Sequence, residues 1–105
     1  MLVAQSGPAT FAQWRAQNPT VPLDLEGATL TGVDLRGARI RAANLRRCNL
    51  SGALLSQASL AEADLQEANL TNADLSRGAL PGANLANANL TNVSLVWADL
   101  KNCNL

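Results

Sequence analysis

Chemistry in this chain rests on a short list of side chains: two cysteines, eight carboxylates and eight cations, with no histidine and no tyrosine. The missing histidine removes the commonest general base and metal ligand. No Cys–His or Ser–His–Asp set exists, and the carboxylates form no spaced cluster; Asp34 and Asp74 are separated by Leu54 midway between them. The expectation is a non-enzyme with no catalytic residue, no cofactor and no metal. What remains is the chemistry of charge. Arg36, Arg39, Arg41, Arg46 and Arg47 place five of the eight cations within twelve positions.

The elements that must position those arginines follow a strict rule. From Leu25 to Leu105 every fifth residue is leucine, except Ile40, giving seventeen registered positions without insertion or deletion. A period of 5 matches neither a helix nor a simple alternating strand. In a helix these leucines would advance about 500° per step and visit every face. Two residues before each leucine the chain carries alanine in eleven of seventeen cases, and otherwise Leu23, Val33, Cys48, Gly78, Val93 or Cys103. Immediately before the leucine stands Asp or Asn in eleven of seventeen, with Arg39, Leu54 and Ala79 as departures.

In an extended segment the small residue and the leucine point the same way, and the Asp or Asn between them points out. The two residues after the leucine then turn the chain, and glycine recurs at the second of them (27, 32, 37, 52 and 82). Short extended segments joined by tight turns make a β-solenoid, in which each unit buries its apolar face only against its neighbours. The run Ala63-Asp64-Leu65-Gln66-Glu67, followed by Ala68-Asn69-Leu70-Thr71-Asn72, resembles the pentapeptide repeat family. That resemblance covers residues 23–105 and implies a right-handed quadrilateral β-helix with four repeats, or 20 residues, per coil. About four coils are expected, and with rungs ~4.8 Å apart the shaft is about 20 Å long.

Residues 1–22 do not follow the repeat and are read as an N-terminal segment with a capping helix. Ser6-Gly7-Pro8 forms a helix start and Asn18-Pro19 a stop. Phe11 and Trp14, three apart, share a face. They are expected to act as a lid over the first coil, whose unpaired edges otherwise invite aggregation; the functional alternative is an aromatic docking site for a peptide. The opening Phe11-Ala-Gln-Trp14-Arg is similar to those of short cyanobacterial members of the family.

A 20-residue column places Arg46 beside Glu26 and Arg47 beside Glu67, which would neutralise both. Arg36, Arg39 and Arg41 then meet only Ser56, Ser59 and Ala61, leaving either a solvated face or a corner for an anionic partner. Thr29, Asn49, Asn69 and Asn89 run beside Thr31, Ser51, Thr71 and Thr91 as a polar ladder expected to bond between rungs. Cys48 and Cys103 lie on different faces more than two rungs apart, beyond disulfide reach, and read as buried small apolar groups. Val96 and Trp97 face outward in the last coil. Trp97 either stacks on Arg77 one rung below or marks an interface with a second copy, end to end, or with further polypeptide.

The candidate interaction surface is therefore Arg36, Arg39, Arg41, Leu54, Val96 and Trp97, on a protein whose role is contact rather than catalysis. The alternative implied by the resemblance, a DNA mimic that binds a type II topoisomerase, requires a strongly acidic surface, whereas the net charge here is zero. With no net field, nucleic acid is not an expected partner. No apolar run approaches ~18 residues, so no membrane span is expected. Met1–Gln5 lacks the basic and apolar regions of a signal peptide, so a cytoplasmic location is expected.

Overall fold

A computed structural model describes residues 8–105. The expectations for Met1–Gln5 and for a helix start at Ser6-Gly7 lie outside the described residues. Helix α1 spans Pro8–Gln17. Pro8 suits a first turn because its missing N–H would have no intrahelical partner there. The helix stops where Asn18 Nδ2 donates to the Trp14 carbonyl at 2.8 Å and Pro19 cannot continue the ladder.

Beyond residue 23 the chain coils. Every β-bridge is parallel and joins residues 20 apart, in four columns that begin at Asp24, Thr29, Asp34 and Arg39. The bonds alternate: Leu25 N–H donates up to the Asn44 carbonyl at 2.8 Å, and Asn44 N–H donates down to the Leu23 carbonyl at 2.8 Å. Between columns each leucine carbonyl accepts the N–H three residues on, as from Ala28 to Leu25 at 3.0 Å, which closes a β-turn. The outward Asp or Asn braces that turn, its Oδ1 accepting the N–H two residues on, as from Ser76 to Asp74 at 2.9 Å.

The core is a stack of leucine and alanine layers. The every-fifth leucines and Ile40 from Leu30 to Leu80 are essentially sealed from solvent, as are the inward alanines two residues before them from Ala43 to Ala83. Phe11 joins the same cluster from α1, and Trp14 packs against its edge. Cys48 is buried, and its thiol donates to the Leu25 carbonyl at 2.8 Å. Burial pushes this thiol's pKa up, with the nearby carboxylates Glu26 and Asp24 adding to the shift. Cys103 makes the equivalent bond to Leu80 from the partly exposed last coil.

The second turn position holds a left-handed backbone in every repeat, with φ between 57° and 73°, whether or not the residue is glycine. Eleven of these residues are not glycine, including Ala42, Glu62, Asn72 and Trp97. Sequence showed the five glycines; it did not show that the geometry applies to all. A Cβ added at Gly52 meets nothing within 4 Å, so only backbone strain opposes a side chain there. Gly52→Asn is expected to leave stability within about 0.5 kcal/mol of wild type, whereas β-branched Gly52→Val costs about 1–2 kcal/mol. Urea unfolding of the two variants checks this; equal losses would contradict it.

Candidate functional site

With the interior filled, contact chemistry is confined to the two ends and one corner. At the N-terminal end Phe11 and Trp14 lie with ring centroids 6.0 Å apart and planes tilted by 40°. Phe11 is only 1% exposed. Next to them sits a residue that sequence reasoning passed over. Arg15 is 5% exposed and has no carboxylate partner among the described residues.

Arg15 is satisfied by carbonyls instead. Its Nε donates to Arg39 at 2.8 Å, and one Nη donates to Asn18 at 3.0 Å and Val21 at 2.8 Å. Its guanidinium carbon stands 5.4 Å from the centre of the Trp14 ring. The bond to Arg39 has a structural logic. One and two rungs up, the equivalent carbonyls of Ser59 and Ala79 accept N–H groups from Ile40 and Leu60 below. Arg39 has no rung below it, and Arg15 supplies the missing donor. Burial, then repulsion from Arg39, pushes the Arg15 pKa below its ordinary value. The one available signal was its place four residues after Phe11, on the same helix face.

The basic corner divides. Arg36 folds back on Asp34 of its own repeat, with Nε to Oδ1 at 2.9 Å and Nη2 to Oδ2 at 2.7 Å. Hydrogen bonding from that guanidinium holds the Asp34 carboxyl below its usual range. Arg41 pairs with Glu62. Arg46 pairs with Asp64 at 3.3 Å, not with Glu26. Arg47 meets Glu67 at 3.2 Å, as its column implies, and also reaches Glu26 at 3.5 Å. The simple column assignment fails for Arg36, Arg41 and Arg46 because a long side chain spans a turn or a diagonal as readily as a rung. Arg39 is left with no side-chain partner among the described residues. Arg15, Arg39 and Arg41 together line a cleft of about 290 Å³ under the segment 19–22, from which Arg36 is absent.

The polar ladder also differs from expectation. Ser51, Thr71 and Thr91 hydroxyls donate to Asn49, Asn69 and Asn89 at 2.8, 2.6 and 2.6 Å, each within its own repeat. Two residues' spacing brings hydroxyl and amide together on one turn, so the bond closes locally. Rung-to-rung amide bonds occur in another column, from Asn44 to Asp24 at 3.1 Å and from Asn104 to Asn84 at 3.2 Å.

At the C-terminal end Trp97 is 81% exposed, Val96 58% and Leu105 70%; among the described residues the only other large exposed apolar side chains are Val21 and Leu54. No cation–ring contact joins Trp97 to Arg77; Arg15 over Trp14 is the contact of that kind among the described residues. The inward residues of this coil, Leu90, Leu95 and Leu100, are only partly covered. Their N–H groups, and the carbonyls of Ala88, Val93 and Ala98, have no backbone partner among the described residues. Among the described residues these unpartnered backbone groups lie in the same coil as the exposed Val96 and Trp97. Leu54 sits alone on a polar face, part of neither end.

A family model for pentapeptide repeats matches the chain in eight copies over residues 23–47, 38–77 and 68–105. Among solved structures the chain is similar to HetL, a pentapeptide repeat protein involved in heterocyst differentiation regulation in the cyanobacterium Nostoc sp. strain PCC 7120, with 42% identity and a TM-score of 0.77. That match covers 78% of this chain but only 38% of HetL. It is also similar to alr5209, a pentapeptide repeat protein from the same organism, with 35% identity and a TM-score of 0.71, covering 85% of this chain and 75% of that one. No curated protein matches the chain.

Proposed function

The chain belongs to the pentapeptide repeat family, and from that premise we propose that its right-handed β-helical solenoid is a non-enzymatic interaction module whose contact surface is the C-terminal coil. On this reading the shaft is quadrilateral, with roughly four coils at the 20-residue bridge spacing. The observation that carries the reading is the coincidence, in the last described coil, of the exposed Val96 and Trp97 with backbone groups that have no backbone partner among the described residues. Apolar side chains gathered beside unpaired strand edges are a template for another chain.

The occupant proposed is a second copy of the same chain. Donors at 90, 95 and 100 alternate with acceptors at 88, 93 and 98, so the edge is complementary to itself when reversed. A two-fold contact of that kind closes after two copies and does not propagate. HetL's involvement in differentiation regulation supports a role in contact rather than turnover. Equal numbers of acids and bases give no support to mimicry of DNA.

Sedimentation equilibrium tests the proposal. Wild type is expected to associate to a dimer in the micromolar range, and Trp97→Asp to lower the association constant by about tenfold or more. The left-handed backbone at 97 suits Asp better than Trp, so the variant should fold. A wild type that stays monomeric at high concentration would contradict the reading.

A further inference from the structure

The cleft under residues 19–22 has a composition that solvent alone does not explain. Three guanidinium-bearing residues line it, Arg15, Arg39 and Arg41, and no carboxylate-bearing residue does. Arg41 is compensated by Glu62 outside the cleft. Arg15 is held only by carbonyls, and after its three hydrogen bonds its second Nη has no protein acceptor among the described residues. Arg39 has no side-chain partner among them either. Two cationic residues without a carboxylate partner thus line one small space, an arrangement that favours an anion.

From this we propose that the cleft between residues 19–22 and Arg39–Ala42 binds a small organic phosphate. A guanidinium presents its N–H groups in a planar fork that matches phosphate oxygens, and the uncommitted fork of Arg39 together with the remaining Nη of Arg15 suits a group carrying nearly two negative charges at neutral pH. Apart from Thr20, the rest of the wall is apolar, formed by Pro19, Val21, Pro22 and Ala42, which favours an ester with a hydrocarbon body over the free ion. Its volume, about 290 Å³, admits a small molecule rather than a chain. Arg15 is fixed in place by the carbonyls it caps, so its remaining Nη is oriented before any ligand arrives.

Isothermal titration of the full chain with phenyl phosphate tests the site, with inorganic phosphate and benzoate as comparisons. Saturable binding is expected, with benzoate and inorganic phosphate each weaker by about tenfold. Arg39→Gln should weaken phenyl phosphate by about tenfold or more without lowering the melting temperature, because Arg15 holds the residue 39 carbonyl and not its side chain. Arg41→Gln is a second variant with the same expected direction. Unchanged binding in both variants, benzoate binding as tight as phenyl phosphate, inorganic phosphate binding as tight as the ester, or no saturable binding would each overturn the proposal. Trp97→Asp should leave this titration unchanged, which keeps the site separate from the C-terminal contact.

Discussion

Leu65→Ala is expected to lower the unfolding free energy by about 3 kcal/mol, read as a lower urea midpoint with an unchanged slope. Leu65 is fully sealed from solvent, and its column neighbours Leu45 and Leu85 are also buried. Layers bound by a hydrogen-bond ladder every 20 residues cannot close on a void. In a solenoid each coil is stabilised only by its neighbours, so a weakened central layer uncouples both halves. The same truncation at Leu105, 70% exposed, is expected to cost less than about 0.5 kcal/mol. Equal losses at the two positions would mean that the register does not define the core.

Arg15→Met should be nearly as severe, at about 2–4 kcal/mol, although it removes no carboxylate pair. Three carbonyls, of Asn18, Val21 and Arg39, lose their donor at once, and Met offers none in return. Arg15→Lys is expected to recover less than half of the loss, because one ammonium cannot reach three acceptors arranged around a fork. The structural readout is Trp14, whose emission should shift to longer wavelength as α1 loosens. Trp97 is already 81% exposed, so its emission should stay constant. Wild-type stability in Arg15→Met would show that the first coil needs no donor from α1.

What the sequence revealed and what it hid divide along one physical line. Spacing of five identifies the residues that point inward, because backbone geometry alone sets their direction. Leu30 through Leu80 and Ala43 through Ala83 fall where that spacing puts them. Short polar side chains are set by their own turn, and the Asn–Thr pairs closed within the repeat rather than between rungs. Long side chains need not keep the register: Arg47 does pair with Glu67 in its column, but Arg46 reaches Asp64 of the next coil rather than Glu26, and Arg36 folds onto its own repeat. The role of Arg15 was hidden because its partners are carbonyls, which leave no mark in a sequence; only its place four residues after Phe11 pointed to it. The cleft with three arginines followed from that one unseen residue.

The backbone of the C-terminal coil can report directly on docking by a second copy, the contact proposed above. Amide hydrogen exchange at Leu90, Leu95 and Leu100 should be fast in dilute protein, where these N–H groups have no backbone partner, and should slow as concentration rises through the association range. The equivalent amides of Leu70, Leu75 and Leu80, already bonded to the rung above, should exchange slowly throughout. Exchange at 90, 95 and 100 that is equally fast at every concentration would contradict the account.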